Sequence, residues 1–487
     1  MSILVTAPVL VPLATALLTA LLAERPRAQR AASLAGALLL LSSALALAIQ
    51  VQAGGAATLA LGGWAVPFAI ELVADRLGAA MTLIAAILCV AALVFQISDA
   101  DPAPISPGLY PLVHALLAGV GGAFLTADLF NLYVWFEVML VASLGLLAHG
   151  SAKRQLEATL KYFVLNVFST LLMLIAVAYL YAATGHLNYS AIERASSAID
   201  PSFLLPFIAA LVVALLIKCG AFPLFAWLPA AYHTLPAPIL ALFAALTTKV
   251  AVYALLRLLG GVFFRTPAVL FETLGWIAVA TMLAGVVGAA YHWDMRRILA
   301  FHIVSQIGYM LLGIALATPT GDLGTIFYVI HHILVKANLF LIAAIACRLT
   351  GSYDLRRIGG LYAAKPWFAV LFLVPALSLV GIPPLSGFWA KFILVRESLA
   401  LGHGVWAVAA LIVGFLTLYS MTKIWSEAFW KDHPREDWRP VEDARLTPAL
   451  AVTCGLAALT LVLGAWPEPF VRYARAAAEA LRAGGGS

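Results

Sequence analysis

The stretch LLIKCGAFPLFAWLPAAYHTLPAPILALFAALTTKVAVYALLR, residues 215–257, sets Lys218 and Lys249 in otherwise apolar runs and interrupts the chain between them with Pro223 and Pro229. A membrane-spanning helix needs about 20 mostly apolar residues, and a lysine at its centre costs roughly 2.5 to 3.5 kcal/mol on insertion scales. Two such lysines beside helix-breaking prolines read as charge held inside a membrane bundle. The pattern recurs on both sides of this stretch. Lys336 and Lys391 lie in two further apolar segments, with His331 and His332 about one turn before Lys336. Glu137 stands in a fifth segment among Trp135, Phe136 and Met139. Ionisable residues at bilayer depth mark ion or proton pathways, so charge translocation is the expected activity.

Composition agrees with an all-α polytopic membrane protein. Hydrophobic residues make up 63% of the 487 residues, charged residues 11%, and mean hydropathy is +1.00; soluble domains carry about 25% charged residues. Apolar runs of spanning length fall at 4–23, 31–52, 79–97, 109–126, 128–148, 162–184, 203–231, 238–259, 268–291, 298–316, 322–346, 367–397, 404–427 and 447–469, fourteen in all. Only Asp128 separates the fourth from the fifth. The seventh and twelfth are too long for one straight helix, and each contains prolines, Pro223 and Pro229 in one, Pro383 and Pro384 in the other. Half-helices of this kind expose backbone dipoles and point to a transport site.

Loop charge sets the expected topology. Of the 29 Lys and Arg residues, seventeen fall in odd-numbered connections, eight in even-numbered connections and the tail, and four inside spans. Both termini are therefore expected on the extracytoplasmic side, although the acidic 98–101 connection runs against the trend. The first apolar run is expected to be a span and not a cleaved leader, because Arg25, Arg27 and Arg30 follow it. Residues 54–78 read as a short extracytoplasmic excursion, for which a hairpin is one candidate shape, and 431–445 as a polar loop, either a solvated connector or a docking surface. Residues 471–487 read as a brief amphipathic helix with a GGGS tail. The net charge of +6 is scattered over short loops and does not mark a nucleic-acid surface. Cys89, Cys219, Cys347 and Cys454 lie in four different apolar segments without metal-ligand spacing and read as small apolar residues.

The buried groups suggest proton chemistry. Glu137 needs a nearby cation to stay ionised in such surroundings, and a lysine on another helix is the natural partner. A Glu–Lys pair at this depth acts as a switch, since the lysine loses its proton more readily once the pair separates. Snorkelling to the interface is the alternative for each lysine, stronger for Lys336 and Lys391 than for Lys218 and Lys249. His332 and Lys336 are four apart and share a helix face; Tyr328 extends that stripe, and His titrates in the useful range. His331 points about 100° away and reads as a packing or hydrogen-bonding residue. His302, Ser305 and Gln306 form a second polar patch, which interhelical hydrogen bonding would also explain. The chain has no P-loop, dinucleotide fingerprint or H-E-x-x-H, so no cofactor or metal is expected, and redox or ATP chemistry would belong to another subunit. Glu137 with scattered Ser and Thr does not define an oxygen cage for sodium.

The chain resembles the antiporter-like subunits shared by respiratory complex I, membrane-bound hydrogenases and Mrp-type cation/proton antiporters. The carrying segments are DLFNLYVWFEVMLVASLGLLAHG (128–150), LKYFVLNVFST (160–170), the 215–257 stretch, WDMRRILAFHIVSQIGYM (293–310), HHILVKANLFL (331–341) and GIPPLSGFWAKF (381–392). The resemblance implies fourteen helices with two inverted five-helix repeats and discontinuous helices seven and twelve. It divides the chain into N-terminal helices (1–108), a first antiporter half (109–259), a second half (260–430), and a loop, last helix and tail (431–487). It implies that Glu137 is the fifth-helix glutamate and Lys218 its partner. Lys249 would be the eighth-helix connector, His332 and Lys336 the eleventh-helix relay, and Lys391 the lysine facing the exit half-channel. Several relatives carry a histidine where this chain has Tyr328. Within the superfamily the wording is most similar to the D-type subunits of Mrp antiporters, which its length fits; the complex I M-type subunit usually has glutamate at the place of Lys391. That likeness implies a bacterial inner-membrane location, Mrp partners of the A, B, C, E, F and G type, and H+ with Na+ or K+ as transported ions. The alternative is a proton-pumping subunit of complex I or a membrane-bound hydrogenase, and neighbouring genes would separate the two. An intact set of lysines argues against a scaffold that has lost transport.

Overall fold

The computed structural model describes residues 3–97, 107–149, 153–440 and 446–483. The acidic 98–101 connection, the end of the 431–445 loop and the GGGS terminus lie outside the described residues. The chain begins with α1 (Ile3–Leu21), α2 (Pro26–Gly54), β1 (Ala57–Ala60), β2 (Glu71–Ala74), α3 (Arg76–Ile97) and α4 (Leu109–Leu125). It continues with α5 (Leu129–Ala148), α6 (Lys153–Thr184), α7 (Tyr189–Ser196), α8 (Pro201–Cys219), α9 (Trp227–Tyr232), α10 (Ala237–Leu242) and α11 (Thr248–Arg257). A π-helical turn, Phe243–Thr247, joins α10 to α11, and a second, Leu258–Val262, follows α11. Then come α12 (Ala268–Tyr291), α13 (Met295–Ala315), α14 (Pro319–Thr350), α15 (Leu361–Ala364), α16 (Pro366–Val380), α17 (Ser386–Ala400), α18 (Gly404–Ile424), α19 (Leu446–Ala465) and α20 (Glu468–Arg482). Among the described residues twelve segments are long and apolar enough to cross a membrane, and α4 and α16 are shorter apolar helices. Together they occupy the fourteen places expected, and the protein is a multi-pass membrane protein.

Local chemistry explains where the helices start and stop. Asp200 caps α8 by accepting from the Ser202 N–H, with Pro201 as the first helical residue. Thr318 and Pro319 do the same for α14. The two expected breaks are present, but glycines make them. Gly220 ends α8 and Gly381 ends α16, both in the left-handed conformation (φ 78° and 97°), which a residue with a Cβ rarely adopts. Pro223, Pro383 and Pro384 follow and keep the helix from resuming at once. Pro229 breaks nothing: it sits in the first turn of α9, where proline is tolerated.

An inverted repeat is visible in the hydrogen bonds at helix starts. Asp128 caps α5 and its strand-like backbone bridges to Asn188, after the following long helix; Leu129 N donates to Leu187 O and Tyr189 N to Ala127 O. Asp294 caps α13 and bridges in the same way to Asp354, with Met295 N donating to Tyr353 O and Leu355 N to Trp293 O. The fifth and tenth spans thus correspond, as do the broken seventh and twelfth. Five crossings separate the members of each pair, so the second half runs through the membrane in the opposite sense.

The core centres on α14, a 32-residue helix buried along nearly its whole length. Around it α12 and α13 approach closely, because a Cβ on Gly285 would lie 2.3 Å from Ser305 N and one on Gly308 2.7 Å from Ala278 O. The 54–78 excursion is an antiparallel hairpin, Ala57–Ala60 against Glu71–Ala74. The described part of the 431–445 loop folds back on helix ends: Gly360 N donates to Lys431 O (2.7 Å) and Trp438 Nε1 to Leu349 O (3.3 Å). The amphipathic helix α20 lies against α14 and α3, fixed by Arg482–Asp322 (2.5 Å) and by Tyr473 Oη donating to Arg76 O (2.7 Å).

A candidate proton pathway

Backbone carbonyls, and not carboxylates, accept from three of the four buried lysines, Lys249, Lys336 and Lys391. Lys218 occupies the last turn of α8, at the negative end of the half-helix dipole. Lys391 belongs to α17, but its ammonium reaches back across the break and donates to Leu379 O (3.0 Å) and Val380 O (2.8 Å) at the end of α16. Both lysines therefore place charge at the C-terminal end of a broken helix's first half. Gly381 makes room for the second: a Cβ there would stand 3.0 Å from Cδ of Lys391. Lys249 turns back to Ala244 O in the π-turn, and Lys336 donates to Leu299 O of α13 at 3.2 Å. Lys249 and Lys336 are fully buried, and Lys218 and Lys391 are nearly so, which excludes snorkelling within this fold.

Glu137 on α5 is half-buried and acts electrostatically on Lys218, but among the described residues the pair is not closed to ion-pair distance. The ammonium of Lys218 instead lies 4.9 Å from the centroid of Phe136, the residue before Glu137. Further along, charges link Lys249, His332 and Lys336 on one side with His302, His331 and Lys391 on the other. Among the described residues, both ring nitrogens of His302 and of His332 are buried without a protein partner, as are Ser305 Oγ, Gln306 Nε2 and Thr248 Oγ1. Polar atoms so placed need water or a mobile proton donor to satisfy them.

The stripe expected on α14 divides by role. Tyr328 donates to Gln306 Oε1 at 2.5 Å and stacks on Tyr309 (centroids 5.3 Å), over whose ring the Lys391 ammonium lies at 4.7 Å. His331 bonds Ser386 Oγ through Nδ1 (2.8 Å), and Ser386 in turn meets Ser378 (2.8 Å), so His331 ties α14 to both halves of the broken helix. His302 lies within electrostatic reach of both Lys336 and Lys391. A recess of about 260 Å³ with mostly apolar walls opens beside Lys391, between α17 and α18.

Sequence reasoning missed several partners. Arg257 makes a bidentate pair with Asp75 (2.8 Å each) and donates to Tyr253 Oη, which itself donates to Phe124 O. Burial opposes ionisation of Asp75, yet the Arg257 guanidinium outweighs it and holds the carboxyl below its usual range. The Tyr232–Thr247 hydroxyl contact (2.6 Å) was also unforeseen. The only sequence signal for these was an arginine near the end of an apolar run and polar residues just after the first break. Among the described residues no group of three or more His, Cys, Asp or Glu is placed to hold a metal ion.

Fold and site together define a membrane subunit with a buried chain of protonatable groups running from one broken helix to the other. Residues 126–417 match the family model described as NADH:quinone oxidoreductase/Mrp antiporter, transmembrane. The chain belongs to this family. It is 40% identical over 474 residues to the D subunit of the Na(+)/H(+) antiporter from Alkalihalophilus pseudofirmus, covering 97% of this chain and 96% of that one. It is 36% identical over 472 residues to the protein of the same name from Bacillus subtilis, covering 96% and 95%. Among solved structures, a chain of the Mrp complex from Dietzia sp. DQ12-45-1b superposes with a TM-score of 0.92 at 32% identity, over 99% of this chain and 98% of that one.

Proposed function

We propose that this chain is the D-type, proton-translocating component of a multi-subunit Na+/H+ antiporter. Its partners would be the other subunits of such a complex, in a bacterial cytoplasmic membrane, with both termini extracytoplasmic. Two halves, 109–259 and 260–430, each contribute one broken helix. Protons move along Glu137, Lys218, Lys249, His332, Lys336 and Lys391, with His302 joining the last two. The observation that carries this reading is the run of buried lysines, three of them bonded to neutral carbonyls and Lys218 over the Phe136 ring, each within electrostatic reach of another titratable group. A carbonyl solvates an ammonium without cancelling its charge, so protonation of one member disfavours protonation of its neighbour. Charge therefore passes as a sequence of short electrostatic hand-offs. Glu137 starts the sequence by approaching or leaving Lys218. The test is Na+-driven exchange in inverted vesicles containing the assembled complex. Glu137→Ala and Lys218→Ala abolish it, and exchange retained at the wild-type rate in either variant removes that residue from the path.

A further inference from the structure

We infer that a recess at one end of the first half binds a phosphatidylethanolamine molecule of the surrounding bilayer, with Arg194 and Arg265 holding the phosphate and Glu193 the ammonium. The recess has a volume of about 350 Å³, within the range of pockets that hold small ligands. Two links of the bundle meet around it: α7 with the start of α8, and the turn between α11 and α12. Two membrane crossings separate these links, so both lie on one face, at the level of the lipid headgroups. From that rim the wall runs down α8 through Leu204 and Ile208. At 1.5 Å per residue, Ile208 stands about 10 Å deeper than Pro201. A charged rim over an apolar wall has the shape of a headgroup joined to an acyl chain.

The rim charges are unspent. Glu193 is half-buried, and Arg194 and Arg265 are exposed. Among the described residues none of the three makes an ion pair; Arg265 lies over the ring of Phe264, 5.4 Å from its centroid. The neighbouring hydroxyls are already used, since Ser196 Oγ donates to Glu193 O (2.9 Å) and Ser197 Oγ to Arg194 O (2.7 Å). The start of α8 is capped by Asp200. The two guanidinium groups are therefore the donors left for an anion, and a guanidinium meets phosphate through paired N–H bonds. Basic pockets between membrane helices take lipid headgroups in this way. Glu193 selects among lipids. Phosphatidylglycerol or free phosphate would pair with the arginines and leave the Glu193 carboxylate beside a second anion. The quaternary ammonium of phosphatidylcholine has no N–H to donate. Phosphatidylethanolamine brings both a phosphate and an ammonium with three N–H donors, so every charge on the rim finds a partner.

The test uses phosphatidylethanolamine with a photoreactive group on one acyl chain, added to the purified complex, with the labelled peptides mapped by mass spectrometry. Label is expected on α8 around Leu204 and Ile208. Unlabelled phosphatidylethanolamine should displace it at about tenfold lower concentration than phosphatidylglycerol or phosphatidylcholine, a tenfold difference in affinity. Arg194→Ala combined with Arg265→Ala cuts labelling about tenfold or more. Glu193→Gln keeps the label but lets phosphatidylglycerol compete as well as phosphatidylethanolamine. Co-purification checks assembly, and should the double variant fail it, Glu193→Gln carries the test. Labelling that survives loss of both arginines, or equal competition by all three lipids in the wild type, means ordinary bilayer contact and overturns the inference. Displacement by inorganic phosphate means a free-anion site and overturns it too. A Glu193→Gln protein that still prefers phosphatidylethanolamine removes Glu193 from the site and the headgroup assignment with it.

Discussion

At the scale of single residues, this protein handles buried charge in two ways. Of the lysines in the proposed path, Lys249, Lys336 and Lys391 donate to neutral carbonyls and Lys218 lies over the Phe136 ring, so none is locked to a counter-charge among the described residues. Arg257 is instead locked to Asp75 by two 2.8 Å bonds, with side chains 6% and 12% exposed, and serves the fold. Asp75→Asn leaves that guanidinium buried without a counter-charge, so stability falls by about 3 to 5 kcal/mol; thermal unfolding of the purified complex measures it. The folded-state pKa of Asp75 is held below its unfolded value. The pair's contribution is therefore in place above the ordinary carboxylate range and is lost as pH falls through the folded value. A melting temperature unchanged by Asp75→Asn at neutral pH contradicts this account.

At the scale of elements, the broken helices matter most. The second is fastened where Ser386 at the start of α17 meets Ser378 of α16 and His331 of α14. Gly387 permits this: a Cβ there would lie 1.8 Å from Ser378 O and 3.0 Å from the His331 ring. Gly387→Ala must push the two half-helices apart, which costs roughly 1 to 3 kcal/mol by overpacking and moves Lys391 off the Leu379 and Val380 carbonyls. Reduced exchange with a lowered melting temperature is expected, and an unaltered protein on both counts speaks against the fastening. Much of this level was legible in the sequence. Spanning length and hydropathy located all fourteen segments, and the overlong seventh and twelfth announced their breaks. The sequence pointed to prolines, however, whereas Gly220 and Gly381 make the turns, because left-handed backbone is a conformational demand that hydropathy does not express. Side-chain pairs were legible only within a helix. His332 and Lys336 could be placed on one face by spacing, but Asp75 and Arg257 lie 182 residues apart. Tyr232 meets Thr247 only because the chain doubles back after the first break.

At the scale of the whole molecule, the two halves cross the membrane in opposite senses and put a lysine at the C-terminal end of each first half-helix. The long buried α14 joins them with His332, Lys336 and His331. In the proposed path, one half would open toward one side and the other half toward the opposite side, with the charge handed between them along the middle of the bilayer. Lys249 is the member on which this continuity depends, since it is the first-half group that acts on His332 and Lys336. The most direct measurement is Na+-driven collapse of a pH gradient in inverted vesicles from cells lacking their own antiporters, with Lys249→Met in a complex shown to assemble. The account predicts exchange at background level. Exchange at the wild-type rate would contradict a proton path through the centre of this protein.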